Sequence, residues 1–204
     1  MKQRYLRQVN YLNRPCDTHA FHANITRGTS TWTNGRERLR PFDNPWQMTE
    51  QMARNFNDLI PADGTLIHLG DWSFAGKDKI ELFRSMLNVQ TIILVTGNHD
   101  HHLERGDFDH LFTSRSKYLY LTIDKLSFAL FHHPIESWEN MERGTYHLHG
   151  HQHWYGDLRF GNGRKMDVGV DGNDLKPYWL PDVVEMLKDR KFVDPRDHHT
   201  LNKK

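Results

Sequence analysis

Residues 91–95 read Thr-Ile-Ile-Leu-Val, with no polar alternation, and run straight into Thr96-Gly97-Asn98-His99-Asp100. A strand wetted on one face alternates polar and apolar side chains. A continuous aliphatic run bounded by turn residues suits a strand covered on both faces, as in a parallel sheet flanked by helices. Residues 65–69 repeat the pattern and end in Gly70-Asp71. Two such strands need crossover connections between them, and helices are the usual solution.

Helical periodicity appears where those crossovers belong. Asn44 and Pro45 suit an N-cap and first helical position, and Met48, Met52, Phe56 and Leu59 then recur at helical spacing as a core stripe over 45–60. Ile80, Phe83 and Leu87 mark a second helix over 78–87, and a third follows Pro181 over 182–187. The second half is richer in strands: 118–123 and 126–131 around an Asp124-Lys125 turn, then 145–149 and 165–170, with 9–12 a weak first strand. The expected fold is α/β, one domain over residues 1–187, followed by a charged, solvated tail over 188–204.

The chain holds 15 histidines and one cysteine, Cys16. Five short motifs occur in order: Asp17-Thr18-His19, Gly70-Asp71, Gly97-Asn98-His99-Asp100, His132-His133-Pro134 and Gly150-His151-Gln152-His153. Most follow directly on an apolar run, and ligand sites of open α/β sheets gather at the carboxyl ends of strands. Carboxylate and imidazole donors without thiolates suit Mn, Fe, Zn, Co or Ni and argue against a structural zinc finger. A carboxylate such as Asp71 can bridge two cations. Two cations about 3.5–4 Å apart clamp the attacking and leaving oxygens of a phosphoryl centre and lower the pKa of a bound water.

The ordered set Asp-x-His, Gly-Asp, Gly-Asn-His-Asp, His and Gly-His-x-His resembles the signature of the calcineurin-like metallophosphoesterases, over roughly residues 17–175. The longer stretches 17–25, 68–74 and 168–174 resemble the small phage and bacterial branch. The resemblance implies a four-layered αββα sandwich with mixed β-sheets and a dinuclear site at the carboxyl ends of the strands. It implies Asp17, His19, Asp71 and His153 on the first metal, and Asp71, Asn98, His132 and His151 on the second. His99 would be the acid that protonates the leaving oxygen after attack by a hydroxide held between the metals. Asp100 would orient His99 or a nearby loop. The cofactors implied are two divalent cations, manganese first, with Fe, Zn, Ni or Co as alternatives.

Several neighbours of these motifs have two readings. His22 follows the first motif as a candidate substrate contact. His132 and His133 compete for one ligand position, and the His-x-Pro pattern favours His132. His151 and His153 alternate, and on a strand would share a face. Trp72, Trp154 and Tyr155 adjoin ligands, where they either stack on a base or pack the sheet edges. Arg36, Arg38 and Arg40 read as a solvated loop in preference to a phosphate contact. His147 and His149 read as structural, Cys16 as core, and Pro15 places its segment at a sheet edge or bulge.

The substrate expected is a phosphodiester or phosphomonoester, nucleotide-like, with the diester slightly favoured. The alternatives are a catalytically silent metal-binding scaffold or a nuclease on single strands. A net charge of +1 offers little counterion release, so nucleic acid is weakly supported as a partner. No stretch approaches the roughly 20 apolar residues of a membrane span. The N-terminal residues lack an apolar signal region, and one cysteine suits a reducing compartment, so the expected location is the cytoplasm.

Overall fold

A computed structural model of the chain describes residues 4–5, 13–27 and 39–193. The elements are β1 (Arg4–Tyr5), β2 (Asn13–Cys16), α1 (Ala23–Arg27), α2 (Pro45–Leu59), β3 (Thr65–His68), α3 (Lys77–Ser85), β4 (Thr91–Val95), β5 (Ser114–Ser116), β6 (Tyr118–Ile123), β7 (Leu126–Phe131), β8 (Tyr146–His149), β9 (Lys165–Asp167) and α4 (Leu180–Leu187). The fold is mixed α/β, with two sheets. One is four-stranded and parallel throughout, in the order β2-β3-β4-β5. The other is five-stranded and mixed, in the order β1-β6-β7-β8-β9, with β6 and β7 antiparallel.

The aliphatic runs do what their pattern requires. Leu66, Ile92 and Leu94 pack with Met48, Met52 and Phe56 of α2 and with Ile80 and Phe83 of α3. Ile67 and Val95, one residue out of phase, join a second core with Leu121, Phe128, Leu130, Leu148 and Met166 of the five-stranded sheet. The period of two thus sends each strand's side chains alternately to helices and to the second sheet. Leu180, Val183 and Leu187 of α4 close that second core.

Local chemistry sets the element ends. Asn44 Oδ1 accepts from the backbone N–H groups of Trp46 and Gln47 at 3.0 and 2.9 Å, capping α2 as expected. Asp124 and Lys125 both have positive φ, the combination a two-residue turn between twisted strands favours. The expected strand at 9–12 lies outside the described residues, and the strand that enters the first motif is β2. Pro15 sits in it, at the sheet edge, where its missing donor costs no ladder bond on the free side. The third expected helix starts earlier than 182, at Leu180, with Pro181 in its first turn. Strand β5 was not anticipated: Ser-Arg-Ser carries no apolar signal and pairs only at the sheet edge. Of the tail, 188–193 is described; Lys188 and Lys191 are exposed, and 194–204 lie outside the described residues.

Candidate functional site

The five motifs occupy the loops that leave β2, β3, β4, β7 and β8. Asp17 follows β2, Asp71 follows β3, Asn98 and His99 follow β4, His132 follows β7, and His151 and His153 follow β8. The loops hold one another together through backbone bonds. His19 N–H donates to Asp71 O at 2.8 Å, His151 N–H to Asp17 Oδ2 at 2.8 Å, and His99 N–H to Asp71 Oδ1 at 2.9 Å. Close approach demands two glycines. A Cβ on Gly150 would fall on the Asp17 side chain, and one on Gly97 would come within 2.6 Å of the Asp71 backbone nitrogen.

With Asp71 Oδ1 taken by His99, its Oδ2 is left facing inward. That oxygen stands 3.0 Å from His19 Nε2 and 3.3 Å from His132 Nε2. Two groups of donors gather near it. Asp17, His19 and Asp71 form one, all buried, with their nearest ligand atoms within 4.8 Å of one another; His132, His133 and His151 form another. His132 Nε2 is also 2.8 Å from Asn98 Oδ1 and 3.2 Å from His151 Nδ1. His132 Nδ1 donates to Leu69 O at 2.7 Å, which turns the neutral ring's Nε2 lone pair toward the two oxygens. Lone pairs converging this way repel unless a positive charge lies among them, whether a proton or a metal cation.

Electrostatics follow from that crowding. Burial pushes the Asp17 carboxyl up to about 7, with His132 pulling it back and Asp71 adding to the rise. Burial also opposes ionisation of Asp71, but His132 and His19 together outweigh it and hold that carboxyl far below the usual range. Burial disfavours the His132 imidazolium; the hydrogen bond to Asp71 and the Asp17 charge overcome this and raise it to about 9. His19 is depressed by burial and by His153, and His151 falls to about 4 through burial and His132. Asp17 Oδ1 and His19 Nδ1 are buried with no hydrogen-bond partner among the described residues, while His19 Nε2 faces Asp71 Oδ2 at 3.0 Å and Asp17 Oδ1 at 3.5 Å. Unsatisfied buried polar atoms are costly, and here one ligand atom each from Asp17, His19 and Asp71 forms a group of oxygen and nitrogen donors, which fits a cation. Backbone strain concentrates there too, since His19, Asp71, His151 and His153 have φ between 51° and 72°.

His99 is exposed, beside the cluster, its ring 5.8 Å from His19 and 4.7 Å from Phe74. Asp100 is buried and does not reach for His99. It accepts from the backbone N–H groups of Asp71, Trp72 and Gly97, so of its two expected roles it takes the loop-orienting one.

Several expectations are corrected. His151 and His153 are not on a strand; β8 ends at His149, and the two rings part, His151 toward His132 and His153 toward Asp171. Trp72 has no exposed surface. It packs on Phe83 and Phe112 and donates to Ile80 O, so it is core and not a substrate contact. Phe74 is the half-buried aromatic beside the cluster, lying flat on His22 at 3.9 Å. Trp154 is half-buried, and its backbone N–H donates to Asp167 Oδ2 at 3.3 Å. His22 is half-buried, and burial lowers it to about 4. Both His132 and His133 reach the cluster, but only His132 is fully buried.

Arg40 overturns the expected solvated loop: it is 1% exposed. Arg36 and Arg38 lie outside the described residues. Arg40 Nε and Nη2 bond the two oxygens of Asp171 at 2.8 Å each, and Asp171 Oδ2 accepts from His153 Nδ1 at 2.7 Å. Asp171 carried no role in the sequence, although it lies inside the quoted 168–174 stretch. The signal for Arg40 was its setting, Leu39 before it and Pro41-Phe42 after, in contrast to the polar residues around Arg36 and Arg38. His68 was also missed. It accepts from Gly70 N–H and meets Thr18 Oγ1 at 2.8 Å, tying the first two motif loops together.

No protein-family profile matches the chain. It is similar to the uncharacterized protein MJ1445 of Methanocaldococcus jannaschii, at 26% identity over 182 residues, covering 87% of this chain and 91% of that protein. Among solved structures it is similar to a protein of unknown function from Aquifex aeolicus, AQ665, with a TM-score of 0.64 at 21% identity, covering 86% of this chain and 98% of that one. The second likeness supports the fold, and neither relative carries a named activity.

Proposed function

We propose that the chain is a dinuclear metal-dependent phosphoesterase of the calcineurin-like type, with a four-layered αββα arrangement and its metals at the carboxyl ends of the strands. The observation that carries this reading is the position of Asp71 Oδ2, one carboxylate oxygen set between His19 Nε2 at 3.0 Å and His132 Nε2 at 3.3 Å. Asp17, His19, Asp71 and His153 would hold the first metal, and Asp71, Asn98, His132 and His151 the second. Manganese is the first candidate, and the nitrogen and oxygen donors also suit Fe, Zn, Ni or Co. Bound cations would offset the charge of a phosphoester and lower the pKa of a water beside it.

The chain's own residues then divide the remaining work. Asp100 fixes the two loops that carry Asp71 and Asn98. The bond from His132 Nδ1 to Leu69 O fixes which ring nitrogen faces the centre. His99, exposed and with its ring 5.8 Å from that of His19, would give a proton to the leaving oxygen. Phe74 and His22 offer a half-buried aromatic flank that suits a nucleotide-like substrate, diester before monoester. A single buried cysteine accords with work in the reducing cytoplasm.

Titration of the purified chain with Mn²⁺ tests the reading. Two equivalents should bind, and Asp71→Asn should lose both tight binding and metal-dependent hydrolysis while keeping its fold. Wild-type turnover in Asp71→Asn would overturn it.

A further inference from the structure

Beneath the first-motif loop lies a charge that the chemistry above does not use. Arg40 is buried among the α2 side chains, with Nη1 3.7 Å from Met48 Sδ and 3.6 Å from Met52 Sδ. A guanidinium is expensive to take out of water, so its partners matter. Among the described residues it has three oxygen contacts: both Asp171 oxygens at 2.8 Å, in a planar fork, and Thr18 O at 2.5 Å from Nη1.

Each contact leads to a donor of the same cluster. Thr18 is the middle residue of Asp17-Thr18-His19, so the bond to its carbonyl sets the turn that presents Asp17 and His19. Asp171 Oδ2 also takes His153 Nδ1 at 2.7 Å, and the His153 ring lies 4.4 Å from that of His19. The Nδ1–H bond to Asp171 fixes the tautomer and the orientation of the His153 ring. Because Arg40 occupies both Asp171 oxygens, that carboxylate is held as a hydrogen-bond acceptor and is not free to swing in as a ligand itself.

We infer that Arg40, acting through Asp171 and the Thr18 carbonyl, is a positioning residue that selectively assembles one of the two metal positions, the one formed by Asp17, His19 and His153. This rests on the reading of those residues as metal ligands. Its consequence is asymmetry: among the described residues Arg40 bonds Asp171 and Thr18 and none of Asn98, His132 and His151, so disturbing the pair should weaken one position and spare the other. A residue that merely stabilised the core would affect both alike.

The test uses the full chain with Arg40→Met/Asp171→Leu, which replaces the buried pair by apolar groups of similar size, an exchange that folded proteins often tolerate. Arg40→Lys is the conservative companion, keeping the charge and losing the fork. Two readouts are taken: Mn²⁺ binding by calorimetry, and the His153 tautomer by nitrogen NMR of the metal-free chain. In wild type, at a pH where the ring is neutral, His153 should be a single Nδ1-protonated tautomer. In the neutral pair that tautomer should be lost, and one Mn²⁺ equivalent should weaken about tenfold or more while the other is unchanged. Arg40→Lys should fall between. A folded neutral pair that binds both equivalents as wild type does would overturn the inference. If the neutral pair does not fold, Arg40→Lys decides, and wild-type affinity at both positions would overturn it. If wild type binds no Mn²⁺, the metal reading fails and the tautomer alone decides: lost in the variants, the positioning of His153 stands; unchanged, it does not.

Discussion

The Asp100 carboxylate accepts the backbone N–H of Asp71 on Oδ2 at 2.8 Å. The same carboxylate takes Trp72 N–H at 2.9 Å and Gly97 N–H at 2.8 Å. One buried side chain thus pins the loop after β3 to the loop after β4. Burial raises it to about 6, against the pull of those N–H groups. Asp100→Ala leaves three buried donors unpaired and should cost about 3 kcal/mol or more in urea unfolding. Mn²⁺ affinity should fall with it, because Asp71 and Asn98 lose their common anchor. A variant with wild-type unfolding and wild-type metal binding would contradict this role.

The strands and helices that carry the site were legible because their signals are local. The aliphatic run at 91–95 and the Asn44-Pro45 start of α2 depend on neighbours in sequence, and both appear where expected. The motif residues were also legible, since each follows a strand. What sequence could not supply was pairing across long separations. Arg40 and Asp171 are 131 positions apart, and a loop arginine gives no hint of a buried partner. Trp72 failed for a related reason: adjacency to Asp71 placed it at the site, while its side chain turns into the helix-side core. The alternation of His151 and His153 misled because a positive φ at each breaks the strand geometry that alternation assumes.

Metal uptake should depend on pH with a definite sign. In the metal-free chain Asp17 is raised to about 7 and His132 to about 9, so near neutrality His132 holds a proton and Asp17 about half of one, and a cation must displace them. Mn²⁺ affinity should rise from pH 6 toward pH 9, by about tenfold per pH unit for each proton displaced, and protons should be released on binding. Calorimetry in buffers of different ionisation enthalpy counts them. Affinity independent of pH, with no proton released, would contradict the proposed ligand set.

Buried neutral histidines should make the fold sensitive to acid. His149 on β8 donates from Nδ1 to Gly150 O, and burial, with His147 beside it, lowers it to about 3. The unfolded chain takes that proton near 6.5, so the stability it preserves is complete above 6.5 and is lost progressively as pH falls toward 3. The advantage of wild type over His149→Gln should therefore shrink by about 2 kcal/mol between pH 6.5 and pH 5.0 in urea unfolding. A difference that stays constant would mean that His149 already binds a proton in the folded chain.

Hydrolysis itself is the most direct measurement. The purified chain is assayed with Mn²⁺ on bis-p-nitrophenyl phosphate and on p-nitrophenyl phosphate, with a chelator control and His99→Ala alongside. Chelator-sensitive turnover of the diester, faster than of the monoester and reduced about a hundredfold in His99→Ala, is the predicted result. Turnover that survives the chelator, or no turnover of either ester by a chain shown to bind two metals, would contradict it.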